Sequence, residues 1–255
     1  MNHLLSKIGS YPFEKLNLLH KDIKPSKDVI NLSIGEPKLN ADSKVLDILN
    51  KETNSFSNYP PMNAVPELSE AYRQYLKNHF GIENVAEDEV CLVAGTREGT
   101  FSIIQALFNK ENVKEKPYVV MPNPFYQIYG GATTLAGGEA KFLDCPEEDN
   151  FQPDLDSLKS EDWQKCQILV LCSPNNPTGS VLPLSKLKNI LDLAEKYDFY
   201  VVSDECYVDL YTSEKSCPSI LQASSDRSDR LIALHSLSKR SNLPGFRSGF
   251  SCSGK

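Results

Sequence analysis

The sequence predicts an α/β protein with a mostly parallel, mixed β-sheet and helices on both of its faces. From about Val90 onward, short apolar runs alternate with segments of helical periodicity. Several of these runs are apolar throughout, as expected for strands covered on both faces. Seven strands are predicted, at Val90–Ala94, Tyr118–Met121, Ala140–Leu143, Ile168–Cys172, Phe199–Ser203, Leu231–His235 and Gly249–Ser253.

Helices are predicted between the strands. In Leu184–Tyr197 and Pro66–Phe80, apolar residues recur at helical spacing along one face. A third helix runs from Thr96 to Phe108 and begins directly after the first strand, so its N-terminus is a natural anion site.

Two regions are expected in the chain. Residues 1–45 are broken by Pro12, Pro25 and Pro37, and they read as an N-terminal arm with part of a smaller domain. Residues 46–255 read as the large domain. Because the chain stops at Lys255, directly after a predicted strand, we expect it to be truncated at its C-terminus.

Composition excludes several classes of protein. With 255 residues, 40% hydrophobic and 24% charged residues and a net charge of −7, the chain is neither disordered nor a partner for nucleic acid. It has no signal peptide and no membrane-length apolar segment, so a cytoplasmic protein without membrane contact is expected. Seven cysteines without CxxC pairing predict reduced, mostly buried thiols and no metal site.

Polar groups follow five of the predicted strands at the ends where active sites of α/β sheets form. Read singly, each has a plain structural explanation: a solvated loop lysine, a helix-capping acid, a core aromatic or an ordinary turn. Together, one amine and several potential phosphate ligands point to pyridoxal phosphate. The segments are Gly95-Thr96-Arg97-Glu98-Gly99, Pro122-Asn123-Pro124-Phe125-Tyr126, Ser173-Pro174-Asn175-Asn176-Pro177-Thr178-Gly179, Asp204-Glu205-Cys206-Tyr207, and Ser236-Leu237-Ser238-Lys239 with Arg247.

The last three of these segments and Arg247 resemble the fold-type I pyridoxal-phosphate aminotransferases of class I/II in order and approximate spacing. The resemblance covers the whole chain. It implies the large domain of the pyridoxal-phosphate transferase fold, bound pyridoxal 5′-phosphate, amino-acid and 2-oxo-acid substrates, and a homodimer.

The resemblance also implies roles for individual residues. Lys239 would form the Schiff base with the cofactor and then act as general base and acid. Asp204 would pair with the pyridine nitrogen, Tyr207 and Asn176 would bond the ring's phenolate oxygen, and Tyr126 would stack on the ring. The phosphate would be held by Arg247, Ser236, Ser238 and the backbone amides around Gly95, Thr96 and Arg97.

Two further residues have a family role and an equally simple structural one. Tyr59 resembles the tyrosine that reaches the neighbouring subunit's phosphate, but it also suits a proline-rich turn. Gly35 resembles the small residue beside the substrate carboxylate, although a turn alone would explain it.

Three segments resemble the branch of the family that moves an amino group from glutamate to N-succinyl-2-amino-6-oxopimelate in lysine biosynthesis. They are Tyr11–Leu16, Leu32–Lys38 and His235–Gly245. Ala64 and Asn175 stand where relatives often have glycine. No residue here can be assigned the substrate α-carboxylate arginine, which the family carries in its C-terminal third.

Other functions stay open at this stage. The chain could transaminate another amino acid such as aspartate, alanine or an aromatic one. It could also be a non-catalytic module that keeps the fold for sensing or dimerisation, or an inactive fragment.

Overall fold

A computed structural model describes residues 2–9, 11–30, 32, 34–59, 65–111, 116–210, 217–224 and 230–254. Within these residues, seven strands form one mixed sheet. They are β1 (Val90–Val93), β2 (Tyr118–Asn123), β3 (Glu139–Asp144), β4 (Cys166–Cys172), β5 (Tyr200–Asp204), β6 (Leu231–Ser236) and β7 (Gly249–Ser253). The spatial order is β1-β7-β6-β5-β4-β2-β3.

The α-helices in the described residues lie before and between the strands. They are α1 (Pro12–His20), α2 (Ser43–Lys51), α3 (Pro66–Phe80), α4 (Thr96–Leu107), α5 (Ile128–Ala136), α6 (Ser160–Lys165), α7 (Leu184–Tyr197) and α8 (Leu237–Arg240). Short 3-10 turns connect several of these elements.

Strand direction decides where the polar loops meet. β7 is antiparallel to both of its neighbours, β1 and β6, whereas the remaining pairs are parallel. Six strands therefore point one way and β7 points the other. The segment just before β7 consequently lies at the same sheet edge as the carboxyl ends of the other six strands.

Two apolar layers cover the sheet. In β4, Leu169 and Leu171 pack into one layer with α3 and α7, while Ile168 and Val170 pack into the other with α4 and α5. This alternation puts the layers on opposite faces, because successive strand residues point to opposite sides. Every residue of β4 is buried, as the apolar runs predicted.

The predicted fold class is confirmed, and the predicted strands and helices form with small shifts at their ends. Phe199 was expected to open a strand, but β5 begins one residue later. Asp198 ends α7 in the left-handed conformation with φ 61°, and Phe199 then turns inward to stack on Trp163 with ring centroids 5.5 Å apart. Phe199 therefore packs against this ring, and the strand pairing of β5 starts only at Tyr200.

The N-terminal region differs from the rest in burial. No described residue before Ser69 is buried, and α1 and α2 carry exposed leucine and isoleucine side chains. Across the described ranges, no helix has the length and apolar character needed to cross a bilayer. The same ranges hold no group of three or more metal-ligating side chains.

Candidate functional site

Lys239 lies on α8, the single helical turn that follows β6. Ser236 caps this turn: its Oγ accepts a hydrogen bond from the backbone N–H of Ser238 at 3.1 Å. The Lys239 amine donates to the Gly35 carbonyl oxygen at 2.6 Å and lies 5.6 Å from the centroid of the Tyr207 ring. The structure thus brings together the amine, a residue of the N-terminal segment and the tyrosine that follows β5.

Asp204 ends β5 as a buried carboxylate, with 3% of its surface exposed. Its Oδ2 accepts a hydrogen bond from the Tyr129 hydroxyl at 3.0 Å, and its Oδ1 accepts one from the Cys206 backbone N–H at 3.3 Å. Burial raises the pKa of Asp204, and these two donors partly oppose the rise. None of its hydrogen bonds in the described part of the chain comes from a cation.

Tyr207 and Asn176 lie close together although they belong to different loops. The Asn176 side-chain amide donates to the Tyr207 hydroxyl at 3.3 Å. Burial raises the pKa of Tyr207, so its hydroxyl keeps its proton and can act as a donor. Within the Asn176 loop, the side-chain oxygen of Asn175 accepts from the backbone N–H and hydroxyl of Thr178, at 3.4 and 3.2 Å. Asparagine at 175 therefore organises the turn.

Tyr126 is paired with Arg97. The Nε of Arg97 donates to the Tyr126 hydroxyl at 2.7 Å, and its guanidinium carbon lies 5.9 Å from the ring centroid. The bond to Tyr126 raises the pKa of Arg97. Tyr126 meets Tyr129 edge-on at 5.8 Å, so one aromatic pair links this ring to the Asp204 carboxylate.

Arg247 lies directly against the start of α4. Its guanidinium donates to the Pro244 carbonyl at 2.9 Å, to Ser238 Oγ at 3.5 Å and to the Glu98 carboxylate at 2.7 Å. Gly95, the residue that precedes α4, has φ 95°, and a Cβ there would overlap the Arg247 guanidinium. We call the Arg247 guanidinium and the start of α4 together the anion cup, because a guanidinium and the amides of a helix start both favour anions.

A buried acid–base pair lies on the opposite face of the sheet. Glu205 and His235 are adjacent in sequence to Asp204 and Ser236, and their Oε2 and Nε2 atoms are 3.4 Å apart. Burial raises the pKa of Glu205 to about 7 and lowers the pKa of His235 to about 3. At neutral pH the histidine is neutral.

The remaining residues predicted from sequence have different outcomes. Tyr59 is fully exposed. Ala64 lies outside the described residues. Two contacts were missed, those of Tyr129 and Glu98. Both residues lie within three positions of a predicted site residue, but nothing in their local pattern marks their partners, Asp204 and Arg247.

Comparison with known proteins agrees with this geometry. The family model "Aminotransferase class I and II", whose members depend on pyridoxal phosphate, matches residues 27–255. The LL-diaminopimelate aminotransferase of Aquifex aeolicus is 30% identical over 254 residues, covering 98% of this chain and 64% of its own length. The chain thus spans less than two thirds of that relative.

Solved structures share the fold. An aminotransferase from Neisseria meningitidis has a TM-score of 0.93 and 40% identity, over 99% of this chain and 65% of its own. A probable N-succinyldiaminopimelate aminotransferase from Thermus thermophilus has a TM-score of 0.78 and 27% identity, over 89% of this chain and 60% of its own. With the family match over most of its length, the chain belongs to the class I and II aminotransferases.

Proposed function

We propose that this chain holds pyridoxal 5′-phosphate and takes part in transamination between an amino acid and a 2-oxo acid. One observation carries the proposal: the amine of Lys239, the buried carboxylate of Asp204 and the anion cup at Arg247 occur at the same edge of the sheet. An amine, a carboxylate and an anion cup match the aldehyde, the protonated ring nitrogen and the phosphate of this cofactor.

The cofactor suits the residues present. Asp204 is a buried carboxylate whose ionised form is disfavoured by burial, so a cationic ring nitrogen beside it would offset that cost. At the other end, the guanidinium of Arg247 and the backbone at Gly95 lie together, and only glycine leaves room for that approach. Thr96, Arg97, Ser236 and Ser238 supply further donors around the same cup.

When bound, pyridoxal phosphate supplies an electron sink for the electron pair left at the substrate α-carbon. Lys239 is proposed to remove and return the proton at that carbon. Asp204 would keep the ring nitrogen protonated, while Tyr207 and Asn176 would donate hydrogen bonds to the ring oxygen. Tyr126 would lie against the ring face, held in place by Arg97.

Two assignments concern the N-terminal region. We propose residues 1–45 as an arm and part of a small domain, and residues 46–255 as the cofactor-binding large domain. None of the described residues in 1–45 is buried, as expected for an arm outside the core. Gly35 would line the substrate carboxylate site beside Lys239. Tyr59, which is fully exposed, would reach the phosphate of a second subunit in a homodimer.

The proposed substrates are glutamate as amino donor and N-succinyl-2-amino-6-oxopimelate as acceptor. The name of the Thermus structure supports this assignment, and so do the sequence segments around Tyr11, Leu32 and His235. The name of the Aquifex relative favours a second candidate, LL-diaminopimelate without the succinyl group. Initial rates on both, together with aspartate, alanine and an aromatic amino acid, would rank the substrates directly.

Covalent labelling tests the function itself. The protein is incubated with pyridoxal phosphate, reduced with sodium borohydride, digested and mapped by mass spectrometry. We expect the cofactor mass on the peptide that contains Lys239 and nowhere else. Lys239→Ala should abolish the label and the turnover, whereas Lys188→Ala, at an exposed position of α7, should change neither. A label on another lysine, or none, would refute the proposal.

A further inference from the structure

Glu98 places a carboxylate inside the cup that is proposed to hold the cofactor phosphate. It is the third residue of α4, so its side chain lies in the first turn, where helix amides favour an anion. Its Oε2 accepts a hydrogen bond from Nη2 of Arg247 at 2.7 Å. The same oxygen lies 3.2 Å from the point that a Cβ on Gly95 would occupy.

The carboxylate is stabilised there as an anion. Partial burial alone would raise the pKa of Glu98, but the bond from Arg247 and one from its own backbone N–H leave the pKa below its usual value. Glu98 therefore bonds the Arg247 guanidinium and one amide in the first turn of α4, the two kinds of group on which phosphate binding would depend.

We propose that Glu98 is a built-in competitor for this anion site, so that phosphate binds by displacing its carboxylate from Arg247. The inference rests on the proposed function, which assigns Arg247 and the start of α4 to phosphate. A phosphate can take two parallel bonds from one guanidinium, whereas Glu98 takes one. The exchange of carboxylate for phosphate is thus favourable. The negative charge of Glu98 nevertheless stays close to the bound phosphate and weakens its binding.

Calorimetric titration with two probes, inorganic phosphate and pyridoxal phosphate, tests the exchange. Glu98→Gln keeps the size of the side chain and removes its charge, so both probes should bind roughly tenfold more tightly, the order of magnitude for charges a few ångströms apart near a surface. Added salt should narrow the difference. Glu98→Ala should change affinity in the same direction.

Glu67→Gln is the matched control. Glu67 lies in the first turn of α3, so Glu67→Gln likewise removes one negative charge from the first turn of a helix but leaves Arg247 untouched. The proposal is overturned if Glu98→Gln binds phosphate no better or less well than the unsubstituted protein, or if Glu67→Gln gives the same gain. Inorganic phosphate needs no lysine, so this result is separable from a failure of covalent labelling at Lys239.

Discussion

At the residue scale, the site depends on neighbours that tune the chemical groups. Asp204 would be a poor anion in its buried position, because burial raises its pKa. The hydroxyl of Tyr129, itself completely buried, donates to the carboxylate and favours its ionised form. Tyr129 is thus a positioning residue: it acts on the proposed cofactor through Asp204.

Replacing Tyr129 by phenylalanine should weaken cofactor binding most strongly at acidic pH. Loss of the hydroxyl raises the pKa of Asp204 further, so the carboxylate accepts a proton at a higher pH than in the unsubstituted protein. Where Asp204 is protonated in both free proteins, cofactor binding must remove that proton, and this costs more free energy without the Tyr129 hydroxyl. Affinity for pyridoxal phosphate should there fall roughly tenfold, the size expected for one hydrogen bond to a charged group. Calorimetric titrations between pH 5 and 8 would measure this.

Tyr197→Phe is the control for that experiment, because its hydroxyl bonds Ser160 at an exposed position of the protein and not Asp204. It should leave the pH profile of binding unchanged. Equal losses at every pH in Tyr129→Phe would contradict a role through the ionisation of Asp204.

Sequence alone could predict candidate groups with recognisable chemistry, such as Lys239, Asp204 and Arg247, because their residue types and order match a known pattern. Their partners could not be predicted in the same way. Glu98 and Arg247 are 149 positions apart, and Gly35 and Lys239 are 204 apart. The residue pattern within one or two elements does not reveal contacts between positions so far apart in the chain. Such contacts form only when the sheet has formed.

At the element scale, hydrophobic pattern determines most of the boundaries. β4 is buried along its whole length and α7 buries one face, and both were predictable from sequence. The boundaries differ from those predicted where a single contact or backbone conformation determines where an element begins, as at Phe199. The start of α4 is another such place, since Gly95 enters the helix with a positive φ and lies against Arg247.

Gly95→Ala should destabilise the fold and also abolish tight phosphate binding. Gly81, which ends α3 with φ 67° and open space around it, provides a matched control. Gly81→Ala should cost about 1–2 kcal/mol from its left-handed backbone alone. Gly95→Ala should cost more, because its backbone, with φ 95° and ψ 153°, lies in a region that residues other than glycine rarely adopt, and its Cβ would also push the Arg247 guanidinium out of the cup.

Thermal unfolding and titration with inorganic phosphate separate the two effects. Both variants should melt at lower temperature, but only Gly95→Ala should lose phosphate affinity. Retained affinity in Gly95→Ala would mean that Arg247 reaches the anion from another position.

At the scale of the whole molecule, the sheet separates two groups of polar residues. The proposed cofactor groups lie on one face, and the buried acid–base pair lies on the other. The proposed cofactor groups, Asp204 and Ser236, face α4 and α5. Glu205 and His235 face the layer that holds α3, where Phe80 and Phe250 surround the histidine. Titration of this pair therefore affects the stability of the whole fold more directly than it affects the site.

Stability should fall as pH rises from about 4.5 towards about 7 because of Glu205, whose pKa is raised in the folded state. Above the unfolded pKa, folding must protonate this group or bury its charge. Glu205→Gln removes that cost. The melting temperature of Glu205→Gln minus that of the unsubstituted protein should therefore increase as pH rises from 5 to 8. Below pH 6.5, His235 binds a proton more readily in the unfolded chain than in the folded protein, because its pKa is lowered by folding. This destabilises both proteins alike.

Differential scanning calorimetry at several pH values would check this expectation. Glu147→Gln, which removes a carboxylate at an exposed position, is the control. A Glu205→Gln profile parallel to that control would show that Glu205 titrates normally in the folded protein.

The antiparallel strand β7 has a consequence for how the protein is made. β1 pairs with β7 alone, and Val90 meets Cys252 in that ladder, so β1 must wait for a segment that the ribosome releases much later. Closing so long a loop is costly and slow, whereas β2 to β6 can assemble from nearer segments. Since Gly95 follows β1 and Arg247 precedes β7, we expect the anion cup to mature after the part of the sheet that β2 to β6 form.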